Sequence, residues 1–595
     1  MPRLLLATAA LLAVAACSDP DAVLDADAGV LFDLGPPAPV DAGAEDAGPD
    51  GGVDTGAPDL GPPPPPSFCE ALGLPERPFQ PGAGGFAFGD VAGDFTATMI
   101  DGSTWTFSEA WEGCETALFV GYFPAARQNP LQPTVFEQIW NSPVEPLVET
   151  PVNHHFFFVS WEAQEGFRAT RVSTVRDRIE AALAAAGLSD EALELQRRRF
   201  HYVASGPREI EGSVGAWFRD YWDYYRDPSN AVDLGDRGPA RAPFPFAVGI
   251  DRSQRWDAVG SLSEFVGGPS TLRMLSFLPG FYDHKAALGA RVAAEEGVTE
   301  VVLLDEEVTD RIFTPEVELP TGPALAAADT LEVDVQVRCR ARNVFACSEW
   351  DRIARIEVCL DDACESRREL VRWITPYWRR GERRWVMDAS ALMGLLGDGG
   401  PTRFRVEMGP GWERKTPRDV RIALRLSNRA RGERATGALR AFTGGRFEVN
   451  EERDYNAREP VRFTPPATAR RVEVVYILSG HGQTQGNNCA EWCDHRHVFT
   501  VNGSALPEVR HEGTIGSVEG CGSASVLGVP PGQYGNWAPE RAYWCPGLPV
   551  EHRRIDITDR VELGAENTLE YAGNFAGRAP AGGNISLSVY VTWTE

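Results

Sequence analysis

The chain has 595 residues, 43% of them hydrophobic and 16 of them tryptophan, so it is too long for one core and has apolar material for several. Its formal net charge of −28 excludes a continuous phosphate-binding surface, so nucleic acid is not an expected partner. Part of that acidity is segregated, because residues 18–66 are rich in Asp and hold no Lys or Arg.

Residues 1–17 have the form of an export signal, with Arg3 at the positive end and Leu4 to Val14 as an apolar run too short to span a bilayer. Val14-Ala15-Ala16-Cys17 resembles a bacterial lipoprotein box, in which Cys17 would be acylated and become the mature N-terminus. A plain signal peptide cut nearby is the alternative. Ser18 after that cysteine resembles lipoproteins sorted to an outer membrane, so an exported protein at the outer membrane or cell surface is expected, with a periplasmic or secreted fate as alternatives. Membrane contact is expected through the lipid alone. Residues 18–67 form an Asp/Pro/Gly/Ala-rich linker ending in Pro62 to Pro66, too poor in apolar residues to offset the entropy of ordering.

Removing Cys17 from the 11 cysteines leaves an even number, which in an exported chain points to disulfides. Spacing suggests Cys359–Cys364 and Cys489–Cys493 as short staples, Cys339–Cys347 and Cys521–Cys545 as longer loops, and Cys69–Cys114 as the remaining pair. Spacing alone does not fix that connectivity. Zinc is disfavoured because no Cys-x-x-Cys pair occurs.

Residues 68–299 mix strand and helix signals. Leu118 to Phe123 and Phe156 to Trp161 are continuous apolar runs, as in strands buried on both faces, and Val172 to Ala186 has helical spacing with Gly187 as its C-cap. The stretches around Asp94-Phe95-Thr96, Asp101-Gly102, Phe107-Ser108-Glu109 and Phe244 to Asp251 resemble a thioredoxin-like or peroxiredoxin-like domain. Pro124-Ala125-Ala126-Arg127-Gln128 supplies no thiolate where redox chemistry would sit, so an accessory role is expected.

From residue 300 the texture becomes β. Leu331 to Val337, Arg355 to Val358 and Val420 to Leu426 alternate with period two; Val472 to Leu478 and Ile585 to Trp593 do so more loosely. Nearly 300 such residues suggest two antiparallel sandwiches, residues 300–430 and 431–595, joined near Ser427 to Thr436. The fold class expected is therefore an α/β thioredoxin-like domain followed by two all-β jelly-roll sandwiches.

Three segments are too polar and too aromatic for core strands. They are Cys347-Ser348-Glu349-Trp350-Asp351-Arg352 with Trp373-Ile374-Thr375-Pro376-Tyr377-Trp378; Ser479-Gly480-His481-Gly482 through Cys489-Ala490-Glu491-Trp492-Cys493; and Asn536-Trp537-Ala538-Pro539-Glu540-Arg541 through Trp544-Cys545-Pro546-Gly547. Indoles beside carboxylates and arginine suit carbohydrate, with aromatic faces for the C–H-rich ring face and charges for hydroxyls or acid–base work. That alone does not separate a hydrolase from a lectin.

In order and spacing these segments resemble the peptide-N-glycosidase F family, amidases that free N-linked glycans from asparagine, over roughly residues 300–595. The resemblance implies two side-by-side jelly rolls with the site between them. It implies that Asp351 is the principal catalytic acid, Glu491 a second and Glu407 a third. It implies that Arg352, Arg541, Trp350, Trp412, His481, Trp492, Trp537 and Trp544 line the substrate cleft. N-glycosylated peptides or proteins are the expected partners, a monomer the expected state, and no cofactor or metal is implied. His481 stands where the family has Trp, and Glu540 where it has Asp. A glycopeptide-binding protein on the same scaffold is the alternative function. A copper or zinc site at His495, His497 and His481 is conceivable, but structural histidines are the favoured reading. Residues 300–595 are expected to release glycans by themselves.

Overall fold

The computed structural model describes residues 68–595 except 72, 82–83, 125–133, 235–237, 241–246, 258–270, 349, 378–380, 412–415, 451–452, 483–488, 512–514 and 532–538. The signal segment with Cys17, the linker, Trp412, Trp537 and the stretch after Pro124 lie outside the described residues.

The first unit is a mixed five-stranded sheet. Strand β1 (Thr116–Tyr122) lies parallel to β2 (His154–Ser160), which lies parallel to β3 (Phe200–Tyr202). On the other side of β1, β4 (Ala247–Ile250) runs antiparallel, followed by β5 (Trp256–Asp257). Every residue of β1 is buried, which explains its unbroken apolar run. Helix α1 spans Glu165–Ala185; its first two turns are polar and mostly half-buried or exposed, so apolar periodicity registers only from Val172. Gly187 takes φ +66°, as a left-handed helix terminator requires. Helices α2 (Ser213–Arg226) and α3 (Leu278–Ala294) complete the layers.

The first β unit packs two antiparallel sheets around one core. One sheet has the order β6 (Thr299–Val308), β12 (Arg418–Ser427), β7 (Thr330–Cys339), β10 (Gly381–Asp388). The other centres on β11 (Gly400–Glu407), β8 (Ile353–Cys359) and β9 (Arg367–Ile374). The second β unit pairs the sheet β13 (Ala435–Glu448), β19 (Ala581–Thr594), β15 (Arg471–His481), β17 (Arg553–Asp556) with β14 (Val461–Phe463), β18 (Asn567–Phe575) and β16 (His495–Val501). Strand β15 is buried from Val472 to Gly480, because one face meets its own core and the other meets the first β unit through Val475 and Ile477. Its loose alternation has that cause.

The α/β unit shares a core and ion pairs with both β units, a contact that the expectation of residues 300–595 acting alone did not include. Leu272, Leu275, Leu278 and Phe281 share one core with Val529 and the Cys521–Cys545 disulfide of the second β unit. Gly522 meets the Phe277 ring so closely that an added Cβ would lie 2.4 Å from it. Toward the first β unit, Arg338 bonds Asp90 at 2.7 Å, Arg342 bonds Asp220 and lies over the Tyr221 and Tyr224 rings, and Arg291 bonds Glu332 at 2.9 Å. Burying the four named side chains of that core contributes on the order of 10 kcal/mol, comparable to the whole stability of a domain. All five expected disulfides are present.

Candidate active site

A cavity of about 310 Å³ opens at the seam between the two β units, lined by Asp351, Arg352, Arg355, Glu407, His481, Glu491 and Trp544 among others. Six of these are sequence-predicted site residues, brought together from positions 193 apart at the extremes. Arg355 is the addition.

Cys489–Trp492 is one helical turn closed by the Cys489–Cys493 disulfide, with the Cys493 N–H on the Cys489 carbonyl at 2.9 Å. Two anchors place that turn. Its Glu491 carbonyl accepts the Ala542 N–H at 2.9 Å, and its Ala490 carbonyl accepts His495 Nε2 at 2.8 Å. A carbonyl only accepts, so His495 carries its proton on Nε2 and its Nδ1 accepts from His497 Nε2, 2.8 Å away. His497 Nδ1 then accepts from the Tyr571 hydroxyl at 2.7 Å, which in turn accepts from Tyr455 at 2.7 Å. Burial holds His495 down to about 4 and His497 well below the usual imidazole range, so the chain stays neutral. All four ring nitrogens are used within the fold, as expected of structural histidines.

Glu491 is thereby fixed at the cavity floor. Its Oε2 accepts the Gly482 N–H at 2.9 Å, and its Oε1 lies 3.4 Å from Arg541 Nε. Burial raises its carboxyl to about 7 against these two stabilising contacts, with Asp351 adding repulsion. Arg541, 3% exposed, spans the site: its NH2 lies 3.8 Å from Asp351 Oδ2 and 3.1 Å from the Tyr377 hydroxyl. Its guanidinium stands 4.9 Å from the Trp492 ring centre and 5.1 Å from that of Trp544. Trp544 is locked by its indole N–H on the Gly480 carbonyl at 2.6 Å.

Tyr377 lies in a segment the sequence singled out, yet it drew no role there. Burial and the Asp351 charge push its phenol far up, so it stays protonated and bonds Asp351 while accepting from Arg541. A tyrosine following proline in a polar aromatic run was the available signal. Arg352 is set by a reciprocal pair with Thr375, its N–H on Oγ1 at 2.8 Å. Glu407 is held by Arg405 at 2.7 Å and has Arg355 at 3.8 Å. Glu407 lines the cavity just before the turn Met408-Gly409-Pro410-Gly411. His481 sits 4.9 Å from the Trp544 ring with Nε2 2.8 Å from Ser479 Oγ, and burial beside three arginines keeps it neutral. Trp350 and Trp492, 39% and 37% exposed, do not line the cavity; Trp350 stands 6.4 Å from the Tyr377 ring and Trp492 packs on the Arg541 guanidinium.

Chemically, the cavity offers a proton-holding carboxyl, a second carboxylate and a guanidinium that touches both. Residues 449–592 match the family described as peptide-N-glycosidase F, C terminal. The peptide-N(4)-(N-acetyl-beta-D-glucosaminyl)asparagine amidase F of Elizabethkingia miricola is 24% identical over 265 residues, 42% of this chain and 70% of that one. The C-terminal half is thus similar to the peptide-N-glycosidase F family, by the family model over residues 449–592 and by this relative over a longer stretch. Among solved structures, a peptide-N(4)-(N-acetyl-beta-D-glucosaminyl)asparagine amidase is similar at 19% identity with TM-score 0.39, covering 50% of this chain and 96% of the other. The protein described as PNGF-II is similar at 12% identity with TM-score 0.39, covering 52% and 67%. The cavity draws Asp351, Arg352 and Glu407 from the first β unit and His481, Glu491 and Trp544 from the second, with Tyr377 and Arg541 bonded to each other beside Asp351.

Proposed function

We propose that this chain is a peptide-N-glycosidase-type amidase, cutting the carboxamide between asparagine and the first N-acetylglucosamine of an N-glycan. The observation that carries the reading is that Asp351 and Glu491 line one cavity while the buried Arg541 bridges them, 3.8 Å from one and 3.4 Å from the other. An amide is a poor electrophile with a poor leaving group, so its hydrolysis needs a base for water, a cation near the developing oxyanion and a proton for nitrogen. Asp351 takes the proton from water as it adds to the carboxamide carbon. Arg541 faces the oxygen. Glu491, which keeps its proton up to about pH 7, gives it to nitrogen as the C–N bond breaks. The products are aspartate in the peptide and a glycosylamine, which then loses ammonia. Glu407 and Arg352 border the same space, Trp544 forms part of its wall, and Trp350 and Trp492 offer exposed sugar-stacking faces, with Trp412 and Trp537 assigned the same role by the family motif.

Residues 68–299 we read as a thioredoxin-like accessory domain, supported by its strand order and by β4 running antiparallel to β1. An exported chain acylated at Cys17 completes the reading; the intact mass of the mature N-terminal peptide tests that part. The reaction is tested by mass spectrometry of glycan release from a denatured glycoprotein. Wild type should convert the glycosylated Asn to Asp, and Asp351→Asn should abolish conversion with its thermal transition kept. Tight glycopeptide binding by wild type without any Asp formed would refute the amidase reading.

A further inference from the structure

A second cavity, of about 270 Å³, lies beside the active-site cavity, and Arg355 lines both. It runs along the seam between β8 and β9 of the first β unit and β13 and β19 of the second. Four guanidiniums line it, from Arg355, Arg367, Arg372 and Arg440, against two carboxylates, Glu357 and Glu369. Two of the four are spoken for: Arg367 bonds Glu357 at 2.8 Å, and Arg372 bonds Glu369 at 2.6 Å. Among the described residues Arg355 has no carboxylate nearer than Glu407 at 3.8 Å, and its buried Nε has no hydrogen-bond partner there. Arg440 bonds the Arg367 carbonyl at 3.3 Å and no carboxylate among the described residues. The groove therefore carries two positive charges in excess, on a chain whose formal net charge is −28.

Backbone keeps the floor open. The ladder between β13 and β19 shifts register between Thr443 and Gly445. At Gly444 an added Cβ would lie 1.9 Å from the Ile585 carbonyl oxygen, so this wall cannot carry a side chain. The lining is polar and holds no aromatic or large apolar pocket other than Ile585 and Leu587, which suits a hydroxyl-rich chain better than peptide side chains.

We propose that this groove is a subsite for an acidic substituent of the glycan, a sugar carboxylate or phosphate, received by Arg355 and Arg440 as the rest of the glycan leaves the catalytic cavity. The inference rests on the amidase reading for its substrate. A guanidinium–anion hydrogen bond at a largely exposed site such as Arg440 changes affinity about fivefold.

The full chain carrying Asp351→Asn, which does not turn over, is titrated with a sialylated glycopeptide and with the same glycopeptide after sialidase treatment. Tighter binding of the sialylated form by about fivefold, lost in Arg440→Gln while affinity for the neutral form is kept, is the expected result. A glycopeptide bearing a mannose phosphate separates the sources: equal preference extends the subsite to phosphate, and none confines it to carboxylates. Equal binding of acidic and neutral glycans, or a preference that survives in Arg440→Gln, overturns the proposal. So does a preference that follows aspartates flanking the asparagine and not the glycan. Cleavage of neutral glycopeptide by the wild-type chain is read separately. Cleavage without acidic preference removes the subsite alone, and acidic preference without cleavage removes the amidase reading alone.

Discussion

Glu491→Gln isolates the one carboxyl whose proton the site controls. In the folded chain it titrates at about 7 against 4.5 for a free side chain, chiefly because burial disfavours the charged form. Between those two values the folded state holds a proton that the unfolded chain has released. Stability therefore falls as pH rises through that window, and the fall amounts to about 3 kcal/mol at 1.36 kcal/mol per pH unit. Glutamine has the same shape, can accept the Gly482 N–H and cannot ionise. The variant should therefore lack this contribution: its stability relative to wild type should improve by about 3 kcal/mol between pH 4.5 and pH 8. Denaturant unfolding of both chains, followed at several pH values across that range, measures the difference of differences. In parallel, wild-type turnover should decline as pH passes 7, because the proton donor to nitrogen is being lost, and Glu491→Gln should be inactive at every pH. Stability curves that stay parallel across the range would show that Glu491 is already ionised, and the assignment of Glu491 as the acid would be refuted.

Three further outcomes are expected. Replacing Cys489 and Cys493 by alanine removes a staple whose loop-closure contribution is about 2 kcal/mol, and should lower kcat more than it raises KM, because Glu491 loses its fixed position. Gly522→Val drives a side chain into the Phe277 ring and should lower the thermal transition by an amount matching about 1–3 kcal/mol, with activity falling as the Cys521–Cys545 loop shifts Trp544. Expressed alone, residues 300–595 should aggregate or bind a hydrophobic dye; a soluble, cooperative, active fragment would refute the shared core.

The β texture from residue 300 and the two short staples were legible in the sequence, because period-two alternation and close cysteine spacing are local signals; the grouping of Asp351, Glu407, Glu491 and Arg541 was legible only through the resemblance to a family, since no local pattern joins residues so far apart. The role of Tyr377 was not, since a phenol gains meaning only from the aspartate and arginine that the fold sets beside it. Leu331 to Val337 reads as a half-buried strand, yet Glu332 and Asp334 are buried too, because arginines of α3 and of neighbouring strands cover the outer face. In the same way, Cys489-Ala490-Glu491-Trp492-Cys493 announces a pinned carboxylate by its spacing alone. Only the tertiary structure supplies the buried histidine relay that anchors the turn at Ala490, and the burial beside Asp351 that keeps a proton on Glu491 near neutral pH. Bond geometry along the chain determines the staple; the pKa belongs to everything packed around it.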